Sequence, residues 1–282
     1  MKHSHFTFTN KDGLELFARG WHKGLNDDND KGIIYLIHGL GEHSGRYDHV
    51  AEALTGAGYQ VFGFDLRGHG LSQGKRGYTP SFDHLLDDMH TFIEEVNERY
   101  TFSCPSFLYG HSLGANLVIN FALRRPIDGI NGVIATSPSL KLAMQPPIAK
   151  LFLAKVMADL MPAFTLSSEL DPAHLSRDQA IVKAYRDDVY VHDRLSARLA
   201  MDIIESGQYG LDNVENWQIP LLLMHGTEDK ICDFEATKTF ADKGNGYIRF
   251  IPCEDCYHEI HNEPGKEAHI AVMISWLNQH SN

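Results

Sequence analysis

Residues 109–114 of the chain read YGHSLG, in which a serine stands between two glycines. The stretch before it, PSFLYG, is apolar and aromatic like a buried strand, and the stretch after it, ANLVINFALRR, has helical character. Gly-x-Ser-x-Gly between a strand and a helix is the pattern of a nucleophile elbow, whose small residues permit strained dihedral angles at the serine. The pattern predicts an exposed, nucleophilic Ser112 hydroxyl above the edge of a sheet. The alternative is an ordinary glycine-rich turn.

Strand and helix patterns alternate on both sides of this turn. Apolar strand patterns occur at GIIYLIHG, YQVFGFDL and INGVIATSP, with helical patterns at YDHVAEALTGAG and SFDHLLDDMHTFIEEVNERY between them. FTFTN and LELFARGW predict an N-terminal hairpin, and the polar residues 25–32 predict a turn. Continuous apolar runs separated by amphipathic helices predict an α/β protein, with a mostly parallel central sheet and helices on both faces.

The alternation stops after Ser137 and resumes at IPLLLMHGTED. Residues 138–215 contain no convincing strand and begin with the apolar helical stretch PPIAKLFLAKVMADLMP. We therefore expect a core of residues 1–137 and 216–282, with a helical cap of residues 138–215 inserted over the carboxyl edge of the sheet, where ligands bind. The apolar helix either packs onto the core, or forms the wall of an acyl-chain channel or a lip that touches lipid.

Charge and composition exclude several classes of protein. The formal net charge of −12 disfavours nucleic acid and anionic membranes, both of which require clustered lysine and arginine. Four cysteines are too few and too scattered for a disulfide scaffold. The N-terminus lacks the apolar segment of a signal peptide, and no stretch reaches the ~18 apolar residues of a membrane span. These features predict a cytoplasmic protein.

A serine hydroxyl is a weak nucleophile without a general base. In hydrolases with a nucleophile elbow, the catalytic acid and then the catalytic histidine follow the serine along the chain. Asp229 follows the strand pattern LLLMHG, with Glu228 as the neighbouring alternative. His258 follows the last strand pattern, with His261 and His269 as alternatives, although His269 falls within a helix. We expect His258 to act as the general base and Asp229 to orient its ring.

Two backbone amides are candidates for an oxyanion hole. One is the N–H of Leu113, directly after the nucleophile, and the other is the N–H of Leu40 in the loop HGLG after an early strand. The alternative for HGLG is a plain glycine-rich turn. A further glycine-rich loop at residues 64–74 lacks the dinucleotide and P-loop patterns, and we interpret it as structural.

The stretch CEDCYHEIH, residues 253–261, has cysteine and histidine spacing that is superficially typical of a zinc site. Zinc fingers separate their two ligand pairs by about a dozen residues, whereas these pairs are nearly adjacent. The CxxC pair also lacks the surroundings of a thioredoxin-like redox motif. We expect neither a metal nor an organic cofactor.

Taken together, HGLGEHSGRY, FDLRGHGLSQG, GHSLGA, HGTEDKICD and YHEIHNE resemble the monoacylglycerol lipases of the α/β-hydrolase superfamily, from about residue 10 to the end. The first motif is the most specific of the five. The resemblance implies an α/β-hydrolase fold with a helical cap. It also implies the triad Ser112, Asp229 and His258.

The resemblance further implies an oxyanion hole and a head-group site. The oxyanion donors are the amides of Leu40 and Leu113, where the family often has alanine and methionine. The residues implied to meet a glycerol-like head group are Glu42, Arg46, Tyr185 and His261. For Glu42 and Arg46 the alternative is a local ion pair that holds the loop.

These observations predict a serine ester hydrolase that cleaves monoacylglycerols or similar small lipid esters to fatty acid and glycerol through an acyl-enzyme. The alternatives are a lysophospholipase, a broad carboxylesterase or, from another class, a non-catalytic binding protein with the same fold. The presence of Ser112, Asp229 and His258 argues against a binding protein, which needs no complete relay. Transient contact of the cap with lipid aggregates or membranes is one of the two interpretations of its apolar helix, and packing onto the core is the other.

Overall fold

An eight-stranded sheet runs through the computed structural model, which describes residues 1–24, 30–100 and 103–281. In chain order the strands of the described residues are β1 (Lys2–Thr9), β2 (Glu15–His22), β3 (Gly32–Ile37), β4 (Tyr59–Phe64), β5 (Ser106–His111), β6 (Ile130–Thr136), β7 (Thr165–Ser167), β8 (Arg194–Ser196), β9 (Leu221–Gly226) and β10 (Ile248–Cys253). Of these, β7 and β8 form a separate pair outside the eight-stranded sheet. The central sheet has the order β1-β2-β4-β3-β5-β6-β9-β10. β1 pairs antiparallel with β2, and β2 with β4, while the remaining neighbours are parallel. Most of the turn predicted at residues 25–32 lies outside the described residues.

Helices cover both faces of the sheet. They are α1 (Asp48–Gly56), α2 (Phe82–Arg99), α3 (Leu113–Arg124), α4 (Ile148–Leu160), α5 (Gln179–Asp187), α6 (Ala197–Asn213), α7 (Phe234–Lys243) and α8 (Lys266–His280). α1 and α8 contribute to one apolar cluster, and α2, α3, α6 and α7 contribute to the other. β3, β4 and β9 are buried along their whole length, as expected for strands covered on both faces. The predicted α/β class, with the α/β-hydrolase fold, is confirmed.

The carboxyl edge of the parallel strands gathers the chemically important loops. The HGLG loop follows β3, Ser112 follows β5, Asp229 follows β9, and His258 follows β10. Parallel strands end at the same edge, so residues far apart in sequence are brought into one crevice there.

The prediction of no strand between residues 138 and 215 is wrong. β7 and β8 form an antiparallel pair in which Thr165 lies opposite Ser196. Each strand has three residues, which is too short to show an alternating pattern. In the same segment, α6 packs against α3 and places Leu199 in the main apolar cluster. The division into core and cap at residues 138 and 215 stays a prediction.

The outer face of α4 exposes several large apolar side chains, together with Lys155 and Asp159. Ile148 is 85% exposed and Phe152 70% exposed, and Leu153 and Leu160 are also exposed. Leu151 and Ala154, on the other face, line a cavity beneath the helix. None of the described helices combines the length and the hydropathy that crossing a bilayer requires.

Candidate active site

Ser112 occupies a strained turn between β5 and α3. Its φ of 55° lies in a region that non-glycine residues rarely adopt, at a cost of about 1–3 kcal/mol. Its N–H donates to the carbonyl of Thr136 at 2.9 Å, which ties the turn to β6. A Cβ on Gly110 would lie 2.2 Å from the Gly114 carbonyl oxygen, and one on Gly114 would lie 2.0 Å from that of Ile37. Both flanking residues must therefore be glycine for this turn to form.

Asp229 and His258 form a buried acid–base pair. Asp229 Oδ2 accepts from His258 Nδ1 at 2.7 Å, while Oδ1 accepts from the amides of Ile231 at 2.7 Å and Cys232 at 3.0 Å. The Asp229 carboxylate is fully buried and the His258 ring is almost so. With Nδ1 engaged by Asp229, Nε2 is the ring nitrogen available to the Ser112 hydroxyl. Ser112 and His258 line the same cavity.

Electrostatics keep this acid ionised. Burial alone would raise the pKa of Asp229, but the charge of His258 and the hydrogen bonds from His225 and His258 outweigh it and hold that pKa well below its usual value. Burial would lower the pKa of His258, yet the charge and hydrogen bond of Asp229 raise it above the usual 6.5. The pair is therefore suited to take up a proton on His258 while Asp229 stays charged.

His225 is a functional candidate that the sequence analysis missed. Its Nε2–H donates to Asp229 Oδ2 at 3.0 Å, and its Nδ1 accepts from the Thr237 hydroxyl at 2.8 Å. The ring is fully buried at the end of β9. It therefore holds the same carboxylate oxygen that accepts from His258. Among 17 histidines, its position four residues before the candidate acid is the one sequence signal that distinguishes it.

The alternative acid and bases lie elsewhere. Glu228 is exposed to solvent. His269 lies in α8, with its Nε2 3.3 Å from the thiol of Cys256. His261 is fully buried and stacks on Tyr47, with ring centroids 4.9 Å apart. Its two ring nitrogens have no hydrogen-bond partner among the described residues. Burial lowers the pKa of His261 to about 3, so the ring is neutral.

The two candidate oxyanion donors flank the nucleophile. A Cβ placed on Gly39 would lie 3.2 Å from the Ser112 Cβ, so the HGLG loop runs directly against the elbow. Leu40 and Leu113 both line the cavity, and within the described ranges neither amide N–H has an acceptor. Leu113 begins α3, where unpaired N–H groups and the helix dipole favour negative charge.

Glu42 and Arg46 form an ion pair, as the structural alternative for these residues predicted. Arg46 donates to Glu42 at 2.6 Å and makes two further hydrogen bonds to Glu259, at 2.6 and 2.8 Å. The second Glu42 oxygen accepts from the Gly39 N–H at 2.7 Å, which fixes the HGLG loop. Glu42 and Tyr185 nevertheless line the cavity, whereas Arg46 and His261 are not among its lining residues. Glu259 is a lining residue that the sequence analysis missed.

The cavity has a volume of about 480 Å³, which is typical of small-molecule sites. The rest of its wall is mainly apolar and comes from loops that follow strands, from α4 and from α6. The charged residues Lys150, Glu169, Asp171 and Lys230 also line it. The apolar wall includes Leu142, Leu151, Ala154, Leu170, Met201 and Ile204. The serine thus opens into a space that can hold both a polar group and a hydrocarbon chain.

The residues of the zinc-like stretch have separate partners. Cys253 and Cys256 are buried in the apolar cluster that includes α8, while His258 is bound to Asp229. Within the described ranges, the one group of possible metal ligands with atoms mutually within 4.8 Å is Asp229, Cys232 and His258. Burial raises the pKa of the Cys232 thiol, so it is a neutral and poor ligand. The expectation of no metal stays a prediction.

Together, the mostly parallel sheet, the strained serine at its edge and the buried acid–histidine pair define a serine hydrolase of the α/β-hydrolase fold. The family model of the serine aminopeptidases, S33, matches residues 28–265, and the chain belongs to this family.

Known proteins of similar sequence and structure agree with this class. A crystal structure of the Paleococcus ferrophilus monoacylglycerol lipase is 37% identical, with a TM-score of 0.86, and the match covers 95% of this chain and all of that one. Human monoglyceride lipase is 31% identical, over 90% of this chain and 83% of its own length. An uncharacterized abhydrolase domain-containing protein of Dictyostelium discoideum is 35% identical over 87% of this chain, which spans 26% of that longer protein. The resemblance to the monoacylglycerol lipases is confirmed, and the chain is an ester hydrolase.

Proposed function

We propose that the protein hydrolyses monoacylglycerols to a fatty acid and glycerol. The observation that carries this proposal is that Ser112, an apolar wall and the carboxylate of Glu42 all line the same cavity. The apolar wall can bind an acyl chain, and the carboxylate can bind the hydroxyls of a head group. The names of the similar lipases support the same substrate class.

The geometry supports an acyl-enzyme mechanism. His258 Nε2 takes the proton of the Ser112 hydroxyl as the serine oxygen attacks the ester carbonyl, and Asp229 stabilises the resulting imidazolium. The amides of Leu40 and Leu113 stabilise the oxyanion. Collapse of the tetrahedral intermediate breaks the ester bond, and His258 returns the proton to the departing glycerol oxygen. His258 then deprotonates a water molecule, which attacks the carbonyl carbon of the acyl-enzyme. As the ester bond to Ser112 breaks and the fatty acid leaves, His258 gives that proton to the Ser112 oxygen, so that both residues are regenerated.

A pair of esters with the same acyl chain tests this function. We expect monolauroylglycerol to be cleaved with a kcat/KM about 100-fold higher than methyl laurate, because a site that binds hydroxyls rejects an ester without them. The assay is fatty-acid release below the micelle concentration, with Ser112→Ala as the background. Equal rates for the two esters would indicate a broad carboxylesterase, and faster cleavage of lauroyl lysophosphatidylcholine would indicate a lysophospholipase.

We further propose that the outer face of α4 contacts lipid surfaces. Ile148, Phe152 and Leu153 project from this helix into solvent, while its other face lines the cavity. A helix placed in this way can deliver substrate from an aggregate directly to the cavity. The net charge of −12 favours neutral over anionic lipid.

Vesicle binding tests this contact. The double variant Phe152→Ser, Leu153→Ser is expected to bind phosphatidylcholine vesicles about tenfold more weakly, since the two side chains lose their apolar transfer energy. Leu71→Ser, which changes an exposed leucine outside α4, is the matched control. Sedimentation with large unilamellar vesicles measures the partition, and equal binding by the wild type and the double variant would refute the contact.

We infer a cytoplasmic location from the cysteines. Cys104, Cys232, Cys253 and Cys256 all lie in the described residues and carry free thiols. Free thiols are usual in a reducing compartment, which is the support for this inference.

A further inference from the structure

Glu259 follows the candidate base directly, and its side chain is almost completely buried. Oε1 accepts from Arg46 Nη1 at 2.6 Å, and Oε2 accepts from Arg46 Nη2 at 2.8 Å and from Asn262 Nδ2 at 2.7 Å. Its backbone N–H donates to the carbonyl of Leu175 at 2.8 Å. Glu259 is therefore held rigidly, and it lines the cavity together with Ser112.

The cluster around Glu259 carries an excess negative charge toward the cavity. Arg46 is one cation between two buried carboxylates, those of Glu42 and Glu259. Both carboxylates line the cavity, while the guanidinium is covered by the Tyr185 ring, whose centroid is 4.7 Å away. Burial would raise the pKa of Glu259, but the charge and hydrogen bonds of Arg46 lower it to about 2. Glu259 is thus an anion at neutral pH.

Each of these carboxylates also keeps room for another hydrogen bond. An ionised carboxylate has about four acceptor sites, two on each oxygen. Glu259 Oε1 accepts one protein hydrogen bond, and so does Glu42 Oε2, in both cases from Arg46. One acceptor site is left on each of the two oxygens, and a ligand hydroxyl can satisfy it.

We propose that Glu259 is a specificity-determining residue which, with Glu42, accepts hydrogen bonds from the hydroxyls of an uncharged head group and repels anionic head groups. The inference rests on the proposed function, because it concerns the alcohol part of the same ester. When a head group enters the cavity and displaces solvent, its hydroxyls can donate to Glu259 Oε1 and Glu42 Oε2 in place of water. A phosphate there would face two carboxylates offset by one guanidinium, and such repulsion is strong in a buried site. Lys150 and Lys230 also line the cavity, and Lys150 is paired with Glu169.

Selectivity measured within one enzyme preparation tests this proposal, because ratios cancel any difference in the folded fraction. The variants are Glu259→Gln and the matched control Glu254→Gln, which changes an exposed glutamate before the same loop. The substrates are monolauroylglycerol, ethyl laurate and 1-lauroylglycerol 3-phosphate, each assayed for kcat/KM below the micelle concentration. A fluorophosphonate titration counts active sites.

We expect Glu259→Gln to reduce the preference for monolauroylglycerol by about tenfold against each of the other two esters, and Glu254→Gln to leave both ratios unchanged. Equal losses on all three esters would show that Glu259 only supports the fold, and would overturn the inference while monolauroylglycerol remained a good wild-type substrate. A wild-type enzyme that cleaves ethyl laurate but not monolauroylglycerol would instead overturn the proposed function itself.

Discussion

Replacing Ser112 with alanine is expected to lower kcat for monolauroylglycerol by about 10⁵- to 10⁶-fold, the usual cost of losing a triad nucleophile. The loss is this large because no acyl-enzyme can form without the hydroxyl, and the remaining groups act only by binding and by stabilising the oxyanion. Steady-state release of lauric acid measures the effect. Labelling by a fluorophosphonate probe is expected to disappear in the same variant, because the probe reacts with an activated serine.

A neighbouring serine provides the control for this prediction. Ser139 lines the same cavity, and its hydroxyl donates to the Ser112 carbonyl at 3.3 Å. Ser139→Ala is expected to keep turnover within about tenfold of the wild type, since a single neutral hydrogen bond contributes about 1 kcal/mol. Full labelling and turnover in Ser112→Ala would assign the nucleophile to a different residue.

Replacing Asp229 with asparagine is expected to lower kcat by about 10⁴-fold while the fold is retained. Asp229 Oδ2 accepts hydrogen bonds from both His258 and His225. A negatively charged carboxylate oxygen can accept both bonds, whereas an amide NH₂ group can accept neither. An asparagine NH₂ group in that place would donate to His258 Nδ1 and leave the proton on Nε2, the wrong tautomer for a base. Single-turnover kinetics with monolauroylglycerol separate this chemical effect from substrate binding.

The dependence of kcat/KM on pH is a second measurement that tests the role of Asp229. His258 must be neutral to accept the serine proton, so kcat/KM rises with pH through the pKa of the free enzyme. Since Asp229 raises the pKa of His258, the wild-type midpoint is expected above 6.5. In Asp229→Asn the largest charge that raises the pKa of His258 is gone, while the lowering effect of burial and the smaller raising effects of Glu259 and Glu42 remain. The residual activity is therefore expected to persist to lower pH than in the wild type.

Glu228→Gln is the matched control for Asp229→Asn, because it changes the neighbouring acid that the sequence leaves as an alternative. Glu228 is exposed, so this variant is expected to retain wild-type kcat and the wild-type midpoint. If Glu228→Gln lost activity and Asp229→Asn did not, the acid would be assigned to Glu228.

Local patterns explain why the fold and several candidate site residues could be predicted from sequence. The turn at Ser112 has room only for glycine on either side, because a Cβ at Gly110 or Gly114 would collide with backbone oxygens. This requirement involves a few adjacent residues, so it is visible in the sequence. Apolar runs report strands that are buried on both faces, as in β3 and β9. The positions of Asp229 and His258 follow from chain order, because each comes directly after a late strand.

The sequence by itself therefore determined the α/β architecture, the elbow, and the order in which the candidate acid and base follow it, since each of these depends on neighbouring residues. The tertiary structure alone decided which charges meet. Arg46 and Glu259 are 213 residues apart in sequence, and β7 and β8 pair across the helix α5 that separates them. Neither contact leaves a periodic signal in the sequence. His225 gains its partner through the turn after β9, and Glu259 becomes part of the cavity wall only when the β3 and β10 loops meet at one sheet edge. Long-range contacts of this kind depend on how the strands are ordered in space, which residue patterns along the chain do not encode locally.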